Sequence, residues 1–461
     1  MNLPSEFLGE LKTVLGSDTE KYISAFNEPC FRGISINRLK TSPEKLLPLL
    51  DFETKKSPFY SDGYYIPSAL EGIGNSPLHH AGAFYVQEPS ASSAVELLEI
   101  EKGDHVLDLC AAPGGKSAQI ASLLGGSGLI WSNEPVKNRA KILLSNHERM
   151  GIPNGIVSFR YPDVLCPKLK GFFDKVLVDA PCSGEGMFRK NPDAILEWSR
   201  EHVIACANRQ LSILISAAEC VRDGGILVYS TCTFSPEENE MTAQRFLEAC
   251  PEFEPSDINE PFGRTTGLKN AVRITPLEGG EGHFAARFRK KGNAPRTVFS
   301  VPKSAKKPQK FSKDLQKLID GFIDDIFKTA PEAAIEVFGN CVYFRPDGFP
   351  DLKGLCILRH GVFVGEIIKN RIEPAHSLFV TARPENLRRV LDLNIDDPRV
   401  NDFIKGMEIE CDGDKGYTAV AVEGMILGFG KCSGGRLKNK YPKGLRHSAC
   451  APDSRSGSYI T

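Results

Sequence analysis

The chain has no Cys-x-x-C pair, no apolar run that approaches a membrane span and almost no net charge. Each absence closes a class of function. Its 13 cysteines are odd in number and scattered, so neither a zinc site nor a disulfide framework is expected. Free thiols fit a reducing cytoplasm, which is the expected location. No apolar stretch reaches the roughly 20 residues of a membrane span. The N-terminus MNLPSEFLGELK has neither a basic segment nor an apolar one, so no secretory signal is expected. A net charge of -1 and a pI near 6.8 exclude a global affinity for nucleic acid but leave room for local basic patches. There is no internal repeat, and nothing resembles a dimer seam, so a monomer without bound metal is expected.

What remains is an ordinary globular composition, 41% hydrophobic and 25% charged over 461 residues. That length predicts two to four domains at roughly 100–200 residues each. Residues 1–80 read as a small α/β appendage, in which FRGISINRLK would place Arg32, Arg38 and Lys40 along a solvent-facing strand edge. Residues 81–290 alternate strand and helix as a doubly wound parallel sheet does. Within them ILEWSREHVIACANRQLSILISAAECV reads as one long helical stretch. Ser235, Pro236 and Glu238 read as a capping box opening the helix after it. RITPLEGG and HFAARFRK read as a closing hairpin. Residues 291–310 form a basic linker, 311–395 an intermediate α/β domain, and 396–461 a tail of short strands and Gly turns ending in cations.

Three strand ends carry chemistry: HVLDL runs into CAAPGGKS, VLVDAPCSGEGMF holds Cys182, and ILVYSTCTFSPEENE holds Cys232. In a parallel sheet such ends open into one crevice. As a phosphate loop CAAPGGKS is incomplete, because Cys110 stands where Gly-x4-Gly-Lys-Ser needs its first glycine. An S-adenosylmethionine site on a Rossmann-like sheet is the better reading. Gly114 and Gly115 would let the backbone approach the ligand. Glu134, ending the second strand, would take the ribose hydroxyls. Asp163, ending the third, would accept from the adenine amino group. Taken singly, either acidic residue could be a solvated turn residue.

Carbon 5 of a pyrimidine becomes nucleophilic only after something adds at carbon 6. A thiolate can add there, and the resulting enamine attacks a sulfonium methyl. A proton acceptor then clears carbon 5 so that the thiolate leaves. Cys232 and Cys182 suit the roles of nucleophile and proton acceptor, with Asp179 at the ring nitrogens. The plain alternative is two buried structural thiols, the assignment given to Cys110, Cys206, Cys220 and Cys250 as thiols.

DLCAAPGGKSAQIA, DAPCSGEGMFRKNPDAILEW and YSTCTFSPEENE resemble the signature motifs of the Sun-type RNA cytosine-5 methyltransferases. GAFYVQEPSASSAVELL and NRQLSILISAAECVRDGG fit the same family, and the resemblance spans about residues 80 to 290. It implies a Rossmann-like methyltransferase core, with Cys232 attacking the base and Cys182 assisting product release. It implies cofactor contacts from Cys110, Ala111, Ala112, Pro113, Gly114, Gly115 and Lys116, then Glu134, Asp163 and Asp179, with Arg139 a further candidate. RLKNKYPKGLR is similar to the PUA-like RNA-binding domain of bacterial RsmF-type 16S rRNA methyltransferases, and residues 311–395 resemble that group's additional C-terminal domain. This implies a small-subunit rRNA cytosine as substrate, with tRNA or a non-catalytic assembly role as alternatives.

A base inside a helix must be flipped out or already single-stranded to meet Cys232. Arg436, Lys438, Lys440, Lys443 and Arg446, with Tyr441 interleaved, would supply phosphate contacts and a stacking surface. Lys303, Lys306, Lys307 and Lys310 in the linker could be contacts or merely solubilising. Arg32 and Arg38 are auxiliary candidates.

Overall fold

A computed structural model describes residues 3–258, 262–293, 309–345, 350 and 352–446. Lys303, Lys306 and Lys307 fall outside these residues, and Lys310 is exposed. The centre is a sheet of β1 (His105–Asp108), β2 (Leu129–Asn133), β3 (Gly155–Ser158), β4 (Phe173–Asp179), β5 (Val221–Thr231), β6 (Ala271–Ile274) and β7 (His283–Lys290). The spatial order is 3-2-1-4-5-7-6, with β1 to β5 parallel and the β6–β7 hairpin antiparallel. Helix α1 (Gly115–Leu124) lays Ala118, Ile120 and Leu124 on Val106, Ile130, Leu177 and Val228. On the opposite face α2 (Arg200–Cys220) and α3 (Glu240–Ala249) bring Leu214, Ala217 and Phe246 against Leu107, Trp131, Val176 and Tyr229. Covered on both faces, the inner strands are apolar at their centres, and the crevice opens where the strand order reverses between β1 and β4. The expected doubly wound α/β sheet is therefore present.

Several local expectations fail, each for a visible reason. The long helical stretch divides into Asp193–Glu197 and α2, because Trp198 turns extended and buries its Nε1 against Glu185 Oε1 at 2.8 Å. Ser199 then opens α2 by accepting the His202 N–H at 3.1 Å. The capping box at Ser235 and Glu238 does not form. Residues 236–239 make a turn, α3 starts only at Glu240, and Glu238 is drawn off to accept from Ser183 N at 3.0 Å and Gln210 Nε2 at 2.7 Å.

The N-terminal strand Arg32–Ile36 is internal, lying between Gly63–Ile66 and Phe84–Gln87, so it presents no edge. Arg32 donates to the Ser68 carbonyl at 3.2 Å and also to that of Leu70. Arg38 forks onto Asp62 at 2.8 and 2.6 Å. Half-buried Lys40 donates to the Val380 carbonyl, and burial pushes its ammonium down to about 7. The N-terminal sheet is more than an appendage. Ile34, Ile36 and Phe84 share a core with Leu427 of the C-terminal sheet, Val400 and Phe403 of the helix Pro398–Ile404, and Tyr441. In LCILRHGVFVGEII the chain bends at Gly361 (φ 55): Ile357–His360 pairs antiparallel with β3, while Val362–Ile368 lies in a separate four-stranded sheet. Among the described residues no helix is long and apolar enough to cross a membrane.

Candidate active site

Beyond Asp108 the chain turns through Cys110–Gly114 into α1. The turn is anchored by Ala111 N–H on the Asn133 carbonyl at 2.8 Å. Gly114 has φ +117, and a Cβ there would meet Leu143 Cδ1 at 3.1 Å; the position favours glycine both conformationally and sterically. Arg139 and Asn146, on the helix Lys137–Arg149, donate to the carbonyls of Ala112 at 3.3 Å and Pro113 at 2.9 Å. Glu134 directly follows β2 and is 2% exposed; it accepts the Val136 N–H at 2.9 Å and pairs with Arg139 at 3.3 Å. Arg139 thus braces the turn and its carboxylate together. Asp163 does not end β3, which stops at Ser158; it lies exposed in the short helix Pro162–Leu165 beyond it. Cys110 packs against the central core, and burial, with Asp108, Asp179 and Glu134 nearby, pushes its thiol well up, as befits a structural thiol.

Lys116, expected among the cofactor contacts, turns to Asp179, with Nζ at 2.7 Å from Oδ2. Ser230 donates to the other oxygen at 2.7 Å. Burial works against the Asp179 charge, but the Lys116 ammonium, His283 and these two hydrogen bonds outweigh it and hold the carboxyl below its usual range. Burial likewise penalises the Lys116 ammonium, yet Asp179, Asp108 and Cys232 keep it above its ordinary value. A fixed ion pair therefore lies beside the thiols.

The two thiols meet. Cys182 Sγ lies 3.2 Å from Cys232 Sγ and accepts the Cys232 backbone N–H at 3.4 Å. The hydrogen bond to Cys232, then burial, push the Cys182 thiol well above its ordinary value. Beside Cys232 the neutral form of that thiol is favoured, and either sulfur can donate across the gap.

Two carboxylates that sequence reasoning passed over lock the thiol loops together. Glu185, from the Cys182 loop, accepts the backbone N–H groups of Phe234 at 2.8 Å and Ser235 at 3.0 Å. Glu238, from the Cys232 loop, accepts that of Ser183, and burial pushes its carboxyl up to about 7. Gly186 N–H closes on the Cys232 carbonyl at 2.9 Å. Each motif carries its own clue, a glutamate three or six residues beyond its cysteine, in a loop that buries backbone donors.

Of the tail residues, Arg436, Lys438 and Lys443 are exposed. Lys440 pairs with Glu373 at 2.8 Å, and Arg446 donates to the Tyr441 carbonyl at 2.9 and 3.1 Å. Tyr441 offers no stacking surface: it is 2% exposed, with its hydroxyl 2.7 Å from His80 Nδ1 and its ring against Phe403 and His376.

Comparison with known proteins follows this architecture. Residues 95–289 match the family model of 16S rRNA methyltransferase RsmB/F, and residues 3–89 the N-terminal domain of 16S rRNA methyltransferase RsmF. Residues 321–381 match the RsmF rRNA methyltransferase first C-terminal domain, and residues 390–447 the methyltransferase RsmF PUA domain. Ribosomal RNA small subunit methyltransferase F of Vibrio campbellii is 31% identical over 96% of this chain and 97% of its own. The protein of that name from Aeromonas salmonicida is 30% identical over the same shares, 96% and 97%. A crystal structure of a methyltransferase homolog protein from Pyrococcus horikoshii covers 62% of this chain and 100% of its own, at 28% identity and a TM-score of 0.54. With sequence identity carried across all four segments, the chain belongs to the RsmF family of small-subunit rRNA methyltransferases.

Proposed function

We propose that this protein methylates carbon 5 of a cytosine in 16S rRNA, in the cytoplasm, through a covalent bond between Cys232 and the base. The observation that carries this reading is the 3.2 Å approach of the Cys182 and Cys232 sulfurs beside the Lys116–Asp179 ion pair. S-adenosylmethionine would supply the methyl group. The residues around the turn suit such a ligand. Among the described residues Gln87 Oε1 and Asp108 Oδ1 are buried without hydrogen-bond partners, and a Cβ on Gly115 would come within 2.7 Å of Gln87 Oε1. Unpaired buried acceptors beside an open-backbone turn are the complement of a ligand ammonium. Glu134 and Asp163 would take the ribose and the adenine amino group, and the run Cys110–Gly115 the amino-acid part.

Cys232 Sγ adds to carbon 6, and electron density moves onto the ring's oxygen and nitrogen. The Lys116 ammonium offsets that charge, and the ionised Asp179 accepts from the exocyclic amine. Uracil has a carbonyl in place of that amine, and its oxygen would face a carboxylate. After methyl transfer the carbon 5 proton passes to the Cys182 sulfur, acting as its thiolate, the carbon 5–hydrogen pair re-forms the carbon 5–carbon 6 double bond and the carbon 6–sulfur pair leaves on Cys232. Cys182, then a thiol, donates to the departing Cys232 thiolate and so assists release.

Incubation with methyl-labelled S-adenosylmethionine and unmodified 16S rRNA, free and in small subunits, tests this. Label should map to 5-methylcytosine and disappear with Cys232→Ala. Cys182→Ala should leave protein–RNA adducts that survive denaturation. Normal turnover without adduct in that variant would remove the role given to Cys182, and label in tRNA alone would discard the substrate.

A further inference from the structure

A base can be presented to Cys232 only if the nucleotides beside it leave the crevice along a neighbouring surface. One groove begins where the thiol loops end, and residues 275–282, between β6 and β7, form its wall. At the inner end Gly282 is pressed against both thiol loops. A Cβ there would lie 2.6 Å from Phe234 Cζ and 2.8 Å from Gly186 Cα. Glu281 then accepts the Phe31 N–H at 2.5 Å and pairs at 3.0 Å with Arg189, which continues the Cys182 loop. Arg189 also donates to the carbonyls of Glu28 at 2.9 Å and Pro29 at 3.1 Å. At the outer end the Gly279 carbonyl accepts from the Tyr65 hydroxyl at 2.8 Å. The Cys182 loop and the N-terminal sheet are thus fastened to one wall.

Between that wall and the N-terminal sheet the groove is open, with a volume of about 940 Å³. Phe31 and Tyr65 line it, half-buried, their rings edge to face at 6.0 Å between centroids. The Tyr65 hydroxyl bond and the Arg189 guanidinium, 5.8 Å from the centre of the Phe31 ring, hold both rings in place. Lys55, exposed on the edge strand Lys55–Lys56, is the ladder partner of Tyr65, so their side chains share a face. Arg32 and Lys56 line the same groove and donate to backbone carbonyls, Arg32 to Ser68 and Leu70 and Lys56 to Ser61. None of these cations makes an ion pair with the described residues. The lining carboxylate, Glu278, is already spent: it takes Arg264 at 2.8 Å and the Thr275 N–H at 2.9 Å. Uncompensated cations suit phosphates, and fixed rings suit unstacked bases. The cations alone would suit an acidic peptide as well; the rings beside them favour RNA.

We propose that this groove holds single-stranded RNA next to the target cytidine, its phosphates on Arg32, Lys55 and Lys56 and a base against Phe31 or Tyr65. This rests on the reading of 16S rRNA as the substrate. Because the wall is fastened to Glu281 and Arg189, RNA seated there lies against the loops that position both thiols. Such contacts supply affinity and register rather than base identity.

The test compares wild type with the double variant Lys55→Ala, Lys56→Ala and with Phe31→Leu, each checked by thermal melting. Labelled methyl groups follow the reaction on 16S rRNA, free and in small subunits, and anisotropy follows binding of a fluorescein-labelled oligouridine as salt is raised. The double variant should raise KM for free rRNA about tenfold, with kcat changed far less. Its slope of log affinity against log salt should fall by about 1.4, the release of two counterions at about 0.7 each on a single strand. Phe31→Leu should weaken oligouridine binding about fivefold and leave that slope in place. Should Phe31→Leu melt early, the double variant carries the measurement, since both of its lysines are exposed. Unchanged KM and slope in the folded double variant overturn the proposal. So does a defect confined to small subunits, which would put a ribosomal-protein segment in the groove. If wild type labels no 16S rRNA while oligouridine binding follows the expected pattern, the substrate reading fails and the groove stands as an RNA site.

Discussion

The crevice above the central sheet and the basic surface near the C-terminal end were both marked by short runs of telling residues, and they folded differently. At the ends of β4 and β5 the marked side chains converge: Cys182 touches Cys232, and Asp179 holds Lys116. In RLKNKYPKGLR they disperse. Arg436, Lys438 and Lys443 reach solvent, Lys440 is tied to Glu373, and Tyr441 is in a core shared with the N-terminal sheet. Parallel strands force their carboxyl ends into one place, so a motif at a strand end has a known destination. A charged run has no such constraint, and the alternation of the chain decides which of its members face inward.

That contrast predicts a hierarchy of mutational effects. Cys232→Ala should cost the most, at least about a thousandfold in methylation rate with melting unchanged, because a nucleophile has no substitute. Tyr441→Ala should do the reverse. Emptying a buried aromatic site costs about 3–5 kcal/mol, read as a lower melting midpoint. RNA affinity measured below that midpoint should hold. If instead affinity collapses in a well-folded protein, the ring does reach RNA and the comparison breaks. Glu185→Ala falls between the two regions in kind. It strands two buried N–H groups at about 1–3 kcal/mol each and loosens the Cys232 loop, so stability and methylation should fall together.

A subtler effect is expected at the floor of the crevice. Burial raises the Asp108 carboxyl from 3.8 to about 7. A carboxyl raised in the fold stabilises it fully below the free value, and that contribution is lost as pH rises through the folded value. The melting midpoint should therefore decline between about pH 4 and pH 7, and Asp108→Asn should flatten part of that decline. Glu10 and Glu238, both raised to about 7 chiefly by burial, would keep the remainder.

The parallel sheet, its order of motifs and the thiol pair were legible because strand periodicity and strand-end turns are local signals. Glu185 and Glu238 were not, since their work is to satisfy backbone donors of a loop distant in sequence. Glu238 even imitated a capping residue, and the imitation failed once Ser183 and Gln210 competed for it. Tyr441 was misplaced because His80, its hydroxyl partner, is 361 residues away. The pairing of Ile357–His360 with β3 was hidden for the same reason: nothing in its own residues says that β3 has an open edge.

The smallest effect is expected on the surface, where it decides what the tail's cations do. The Lys438 side chain is exposed and makes no hydrogen bond or ion pair with the described residues. If it meets a phosphate, Lys438→Ala should weaken RNA binding a few-fold. It should also lower the slope of log affinity against log salt by about 0.7–0.9, the contribution of one released counterion. Lys440→Ala is the internal control. Its ammonium is already neutralised by Glu373 at 2.8 Å, so the salt slope should scarcely move. Equal slopes for the two variants would mean that the ion pair opens on RNA, and that counting cations in the sequence had described the tail better than their packing does.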